Sequence, residues 1–177
     1  MHSYLDIDYL RTLGTPSYFG LGFIQLRIDE VSRLHFWHPS LNTGHYSEEW
    51  HDHRYSFEST VLMGQITNEL ATYQNDPTGD YEVHQVCCAG NGSEFSGRAN
   101  LSPVGVFTTT VGESYQIEHT TLHRTIVDVP AVTLLKRSKT IKERATVLAK
   151  NFNSPNPFGM QMLPDEIWNM VENIVGK

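Results

Sequence analysis

Cysteine is scarce in this chain of 177 residues: only Cys87 and Cys88 occur. They are adjacent in a stretch that reads as a strand, where neighbouring side chains point to opposite faces, so they form a poor disulfide pair. A reducing, cytoplasmic compartment is the expectation. Positive charge is also short. Thirteen Lys and Arg against 20 Asp and Glu give a formal net charge of -7, which argues against a broad phosphate-binding surface, because nucleic-acid affinity depends on cations that displace counterions. A small-molecule partner is expected rather than nucleic acid. Long hydrophobic runs are missing as well. Asp6, Asp8 and Arg11 interrupt the first residues, so no secretory core is expected, and no stretch reaches the roughly 20 apolar residues that cross a bilayer. No membrane partner is expected.

What is present is an ordinary globular composition, 39% hydrophobic and 19% charged, enough for one core and a single domain over residues 1–177. From about residue 21 to 137 the chain breaks into short runs rich in Val, Ile, Thr, Phe and Tyr, punctuated by Gly, Asn, Asp and Pro. Strands are predicted at Gly22–Ile28, Arg33–His38, Ser56–Met63, Ile66–Tyr73, Tyr81–Cys88, Val104–Thr110, Tyr115–Glu118, His123–Val127 and Ala131–Arg137. Gly64-Gln65 and Asp76 to Gly79 read as turns, and Ala89 to Arg98 as a longer loop. Regular short strands of this kind imply an all-β sandwich or barrel.

Helical spacing appears only at the ends. Leu5, Tyr9, Leu10 and Leu13 share a face before Gly14 and Pro16 stop the helix. A helical extension is predicted over about residues 140–177, first at Ile141–Lys150 and then, past Asn153-Ser154-Pro155-Asn156-Pro157, from Pro164 to about Val175. Pro164 suits a first helical turn. Ile167, Trp168, Val171, Ile174 and Val175 form an apolar stripe expected to dock on the barrel or on a second subunit, which puts a homodimer among the partners. The basic residues between Lys136 and Arg144 read as a solvated helix end.

Chemistry enters with the histidines, of which there are nine. His51-Asp52-His53 sets two imidazoles at i and i+2, on one side of an extended segment, where both reach one ion while Asp52 points away. Glu58 follows inside the apolar strand Tyr55 to Met63, where an unpaired carboxylate would be costly to bury and a metal would satisfy it. The plainer reading makes Glu58 a surface charge on an edge strand and the two histidines loop residues. His123 begins a further strand whose alternation puts Thr125 and Val127 on its own face.

The pattern His51-x-His53-x4-Glu58 resembles the first motif of the cupin superfamily, with Gly44 and Gly64 each displaced by one residue from the flanking glycines of that motif. The spacing from Gly112 to His123 is similar to the second motif, although Glu118, Thr120 and Val127 stand where the family has Pro, Gly and Asn. This resemblance spans about Leu34 to Arg137. It implies a cupin double-stranded β-helix, or jelly-roll, barrel over about residues 21–137 with short N- and C-terminal helices, holding a metal on His51, His53, Glu58 and His123. A narrower resemblance to the cysteine dioxygenase branch rests on His51-Asp52-His53, Leu122-His123-Arg124 and Leu34-His35-Phe36-Trp37. That branch usually lacks the glutamate that this chain keeps.

Three neutral imidazoles and a carboxylate suit Fe(II), Mn(II), Ni(II), Co(II) or Zn(II), and the resemblance puts Fe(II) first. Four protein ligands on a metal that prefers six leave room for substrate and dioxygen or water. The expectation is a metal-dependent enzyme acting on a small polar molecule, with dioxygenase chemistry ahead of lyase, isomerase or hydrolase chemistry; the alternative is a non-catalytic small-ligand-binding cupin. Three further residues are catalytic candidates. His119 would act as acid or base near the metal, or is a loop histidine. Tyr115 would donate a hydrogen bond to substrate, or is core. Arg27 would fork onto a substrate carboxylate or phosphate, or pairs structurally. His119-Thr120-Thr121 and His123-Arg124-Thr125 both match the H-x-T pattern of two-histidine phosphoesterases, but those copies lie far apart in sequence and these do not.

Overall fold

A computed structural model describes residues 4–19, 21–42, 49–87, 92–150 and 162–176. In chain order the elements are α1 (Ile7–Leu13), β1 (Ser17–Phe19), β2 (Leu21–Arg27), β3 (Ser32–Asn42), β4 (Trp50–His51), β5 (Phe57–Met63), β6 (Gln65–Asn75), β7 (Tyr81–Val86), β8 (Ser93–Thr110), β9 (Ser114–Ile117), β10 (Leu122–Ile126), β11 (Ala131–Arg137), β12 (Ala145–Ala149) and α2 (Pro164–Val175). The strands form two antiparallel sheets. One runs β1-β2-β3-β11-β5-β9, and the other closes on itself in the order β10-β4-β12-β7-β8-β6. This all-β, jelly-roll arrangement with a short helix near each end agrees with the predicted fold class.

Alternation along β3 divides the first sheet into two faces. Leu34 and Phe36 point outward and pack with Ile24, Leu26 and Val132 under Leu10 of α1 and Ile167, Val171 and Ile174 of α2. The apolar stripe of α2 is therefore docked on the chain's own sheet. Both helices are begun by local chemistry: the Asp6 carboxylate accepts from the Asp8 and Tyr9 amides at 3.0 and 3.3 Å, and α2 starts on Pro164 and stops at Gly176, whose φ of 80° is left-handed. Arg33, His35 and Trp37 take the other face of β3 and point inward, where Trp37 Nε1 donates to Thr133 Oγ1 at 3.0 Å and His35 stacks on Phe23 at 4.4 Å between ring centroids.

Two predicted elements are corrected. Ile141–Lys150 is not a helix: its second half is the strand β12, paired with β7 from Ala145 to Ala149 and with β4 at Val147 and Leu148. Ala145, Thr146, Leu148 and Ala149 are buried, so the segment is covered on both faces and carries no period-two signal. The predicted loop from Ala89 to Arg98 is replaced from Ser93 onward by the start of β8, which pairs with β7. Glycine hid this strand. Gly97 has φ 141° close to a register shift between Val83 and His84, the signature of a bulge. Residues 99–103, left unassigned between predicted strands, continue β8. Cys87 is a half-buried free thiol, whereas Cys88, Gly44 and the Asn153 to Pro157 breaker lie outside the described residues.

Gly64 makes the turn from β5 to β6 with φ +72°, and a Cβ placed there would lie 2.2 Å from the Pro130 carbonyl oxygen. Both the left-handed backbone and the close approach demand glycine. Gly64→Ala is expected to destabilise the fold by about 2–4 kcal/mol, read as a lower urea midpoint; an unchanged midpoint would refute the tight turn.

Candidate metal centre

The second sheet brings the histidines together. His51 lies in register with Val147 of β12 on one side and with His123 of β10 on the other, so His51 and His123 are cross-strand partners with ring centroids 4.7 Å apart. His53, two residues beyond His51, returns to the same side of the chain, 5.0 Å from the His51 ring and 5.1 Å from the His123 ring. One nitrogen from each of the three imidazoles falls within 4.8 Å of the others, and His53 Nε2 lies 2.8 Å from His123 Nε2.

Surrounding groups fix these rings. Asn68 is wholly buried, and its Oδ1 accepts from His123 Nδ1 at 3.2 Å and from Thr125 Oγ1 at 3.0 Å. A proton held on Nδ1 leaves the His123 Nε2 lone pair facing the cluster, the usual support for a metal-ligating histidine. Asp52 points the other way, as expected from its spacing. Its carboxylate accepts from the Thr146 amide at 2.7 Å and from Lys142 Nζ at 2.5 Å, tying the short His51-Asp52-His53 segment to β12. Two residues of that basic stretch, Lys142 here and Arg144 with Glu94, are thus ion-pair partners rather than parts of a solvated helix end.

Burial keeps the imidazoles neutral. It lowers His51 to about 4, against a partly restoring effect of Asp52, and it holds His53 and His123 well below the ordinary imidazole range, with neighbouring histidines adding to the effect. Neutral imidazole is the ligand form. Two ligand nitrogens at about 2.1 Å from one metal on adjacent positions stand about 3 Å apart, close to the Nε2 to Nε2 separation here. The donor set and its spacing fit one divalent metal.

Glu58 does not join this set. It occupies the outward position of β5 between the buried Phe57 and Ser59, is exposed, and accepts from Gln116 Nε2 at 3.1 Å. The predicted four-ligand site is corrected to three histidines, because strand alternation sends Glu58 away from the interior. Glu58→Gln is expected to leave the metal content of the protein unchanged and its stability within about 0.5 kcal/mol; loss of metal measured by elemental analysis would reverse that assignment.

The three catalytic candidates part company. Tyr115 is half-buried on β9, and burial raises its hydroxyl above the ordinary range against lesser, opposing effects of Ser59 and Asn68, which places it beside the residue that holds His123. His119 sits instead in the turn between β9 and β10, its amide donating to Ser56 Oγ at 3.1 Å, outside the histidine cluster. Arg27 is exposed at the end of β2, opposite Arg33. Sequence reading passed over Asn68, Arg33 and Gln25, and it used His35 only within a family resemblance. The alternation of Arg33, His35 and Trp37 along one strand was the available signal for an inward polar face; nothing local singles out Asn68. His35 is 7% exposed, and its Nε2 has no hydrogen-bond partner among the described residues.

Fold and centre together define a jelly-roll chain that carries a cluster of three neutral histidines, His123 buried and His51 and His53 half-buried. No protein-family model matches the sequence, and no curated protein matches it. Solved structures of low identity do. The chain is similar to a hydroquinone 1,2-dioxygenase from Sphingomonas sp. TTNP3 with 4-hydroxybenzoate bound, at 14% identity, 76% coverage of this chain, 74% of that chain and a TM-score of 0.40. It is similar to the hydroquinone 1,2-dioxygenase PnpCD in complex with Cd2+ and 4-hydroxybenzonitrile, at 13% identity, 76% and 71% coverage and a TM-score of 0.38. It is also similar to the Drosophila melanogaster CENP-C cupin domain, at 11% identity, 66% coverage of each chain and a TM-score of 0.33.

Proposed function

We propose that this chain is a metalloenzyme of cupin type that holds one divalent metal, Fe(II) first, on His51, His53 and His123 and acts on a small polar molecule, with dioxygenation as the leading reaction. The observation that carries this reading is the convergence of three neutral imidazoles, one buried and two half-buried, with His53 and His123 facing each other through Nε2. Bound there, Fe(II) supplies Lewis acidity and redox chemistry with dioxygen. A metal held by these three histidines alone would keep more room for substrate and dioxygen than one held by four protein ligands.

The chain's own residues supply the rest. Asn68 holds the His123 proton at Nδ1, and Asp52 anchors the segment bearing the other two ligands. Burial keeps the Tyr115 hydroxyl protonated, so that it is available as a hydrogen-bond donor. Phe57, whose ring lies 4.9 Å from that of His53, is a water-excluding wall. A reducing compartment, expected from the cysteine usage, would preserve Fe(II).

Elemental analysis of freshly purified protein, followed by anaerobic Fe(II) loading and nitric oxide addition as a dioxygen surrogate, tests the reading. About one metal per chain and an iron-nitrosyl electron paramagnetic resonance signal are expected. Zinc or nickel that iron cannot displace would point to lyase, isomerase or hydrolase chemistry and overturn the oxygenase assignment, and failure to bind any metal would overturn the enzyme reading altogether.

A further inference from the structure

Arg33 is half-buried on the inward face of β3, one alternation from His35. Its Nη1 donates to Gln25 Oε1 at 3.0 Å and, at 3.4 Å, to Tyr55 Oη. The Tyr55 ring meets two guanidinium groups, Arg33 at 5.6 Å and Arg137 at 5.4 Å from its centroid, and stands 5.7 Å from the His53 ring. A single aromatic side chain thus links this cationic group to the histidine centre. Arg137 is aimed by its Nε and Nη2, which donate to the Glu30 carbonyl at 3.1 and 3.0 Å. Arg27, in register with Arg33 across β2 and β3, adds a third positive charge at the same end.

None of the three has a carboxylate partner among the described residues, where ion pairs are made by Arg11, His84, Arg98, Arg124, Lys142 and Arg144. The chain has 20 acidic residues and 13 basic ones, so counter-charges are plentiful, yet among the described residues none pairs with these three. Burial pulls the Arg33 guanidinium below its ordinary value; the nearby Tyr55 hydroxyl opposes this, and the Arg137 and Arg27 charges reinforce it. Grouping like charges and desolvating one of them is costly unless an anion completes the arrangement. Arg33 Nε and Nη2 make no hydrogen bond among the described residues, which leaves a planar fork of the kind that binds carboxylate and phosphate through two parallel hydrogen bonds.

The geometry points to an oxyanion subsite formed by Arg33 with Arg137 and Arg27, which binds the carboxylate or phosphate group of the small molecule whose reacting end lies at the histidines. The location of that reacting end rests on the metalloenzyme reading; the anion site itself does not. The role assigned from sequence to Arg27 alone passes chiefly to Arg33, because the two share one face of the sheet and Arg33 is the half-buried member of the cross-strand pair while Arg27 is exposed.

The test measures binding of malonate and of inorganic phosphate to metal-free protein by calorimetry at constant ionic strength, for the wild type, Arg33→Gln, Arg33→Lys and Arg137→Gln. Saturable binding of at least one anion is expected, weakened at least tenfold in Arg33→Gln and only partly retained in Arg33→Lys, with metal content after loading unchanged in each. The tighter of the two anions assigns the group as carboxylate or phosphate. No saturable binding to the wild type, or equal affinity in Arg33→Gln, overturns the subsite. Should Arg33→Gln lose its far-ultraviolet circular dichroism, Arg137→Gln takes its place, with at least threefold weaker binding expected and unchanged affinity overturning the proposal. Protein that binds anion but no metal would sink the metalloenzyme reading and leave this one standing.

Discussion

His123→Ala is expected to lower metal affinity by at least a hundredfold, so that the variant purifies with little or no metal and gives no iron-nitrosyl signal. Two features make this the most sensitive position. His123 is 3% exposed and sits in register with His51 while its Nε2 faces His53 at 2.8 Å, so its removal takes away the contact that unites the other two. It is also the ligand whose protonation is set from behind by Asn68. Asn68→Ala should therefore weaken metal binding by about 10- to 100-fold without removing any ligand, a graded effect that isothermal titration can separate from the loss in His123→Ala. Normal metal content in His123→Ala would show that the cluster is a hydrogen-bonded core feature. Glu58→Gln is the internal control, since it removes a charge close in sequence but outside the cluster.

The second large effect is on acid stability. His35 is pushed down to about 3 by burial, with the Arg33 charge as a lesser cause, and His51 to about 4, whereas both titrate near 6.5 in the unfolded chain. The unfolded state therefore takes up these protons first as pH falls. Native stability is complete above about pH 6.5 and declines below it, through the interval down to about 4 for His51 and about 3 for His35. Between pH 6.5 and 5 the two groups together should cost on the order of 2–4 kcal/mol. Urea unfolding of metal-free protein at pH 7.5 and pH 5.0 reads this as a fall in midpoint, and His35→Phe should flatten part of it. A midpoint that does not move over that range would mean that these imidazoles are protonated or hydrated in the native state.

Much of the fold and part of the centre follow from local pattern. The strands at Arg33–His38, Ser56–Met63 and Ala131–Arg137 were legible because β-branched and aromatic residues recur between turn formers, and α2 because its apolar residues repeat at helical spacing. The same locality made His51 and His53 recognisable: residues at i and i+2 of an extended chain share a side whatever the rest of the protein does. His123 was reachable through the resemblance to the second cupin motif that its spacing from Gly112 carries, supported by the face of its own strand.

Tertiary structure decided the rest. In β5 the sequence Phe57-Glu58-Ser59 states that Glu58 opposes its neighbours, but which side is interior is settled by pairing with β9 and β11, and that pairing turned Glu58 outward. Ala145–Ala149 reads as helix by itself and becomes a strand because β7 and β4 offer it backbone partners and cover both its faces. Asn68 gains its role only through the register of β6 with β10, which sets it opposite Thr125 and two pairs from His123, on the same face. Arg33 acquires its neighbours in the same way, from Gln25 on one adjoining strand and Tyr55 on a remote loop. Side-chain spacing is a property of the local backbone, so the sequence by itself determined most of the elements and the His51–His53 pair; which strands adjoin and which face is buried depend on contacts between distant residues, so only the folded chain decided β12 and the start of β8, the third ligand's supports, the exclusion of Glu58 and the arginine end of the barrel.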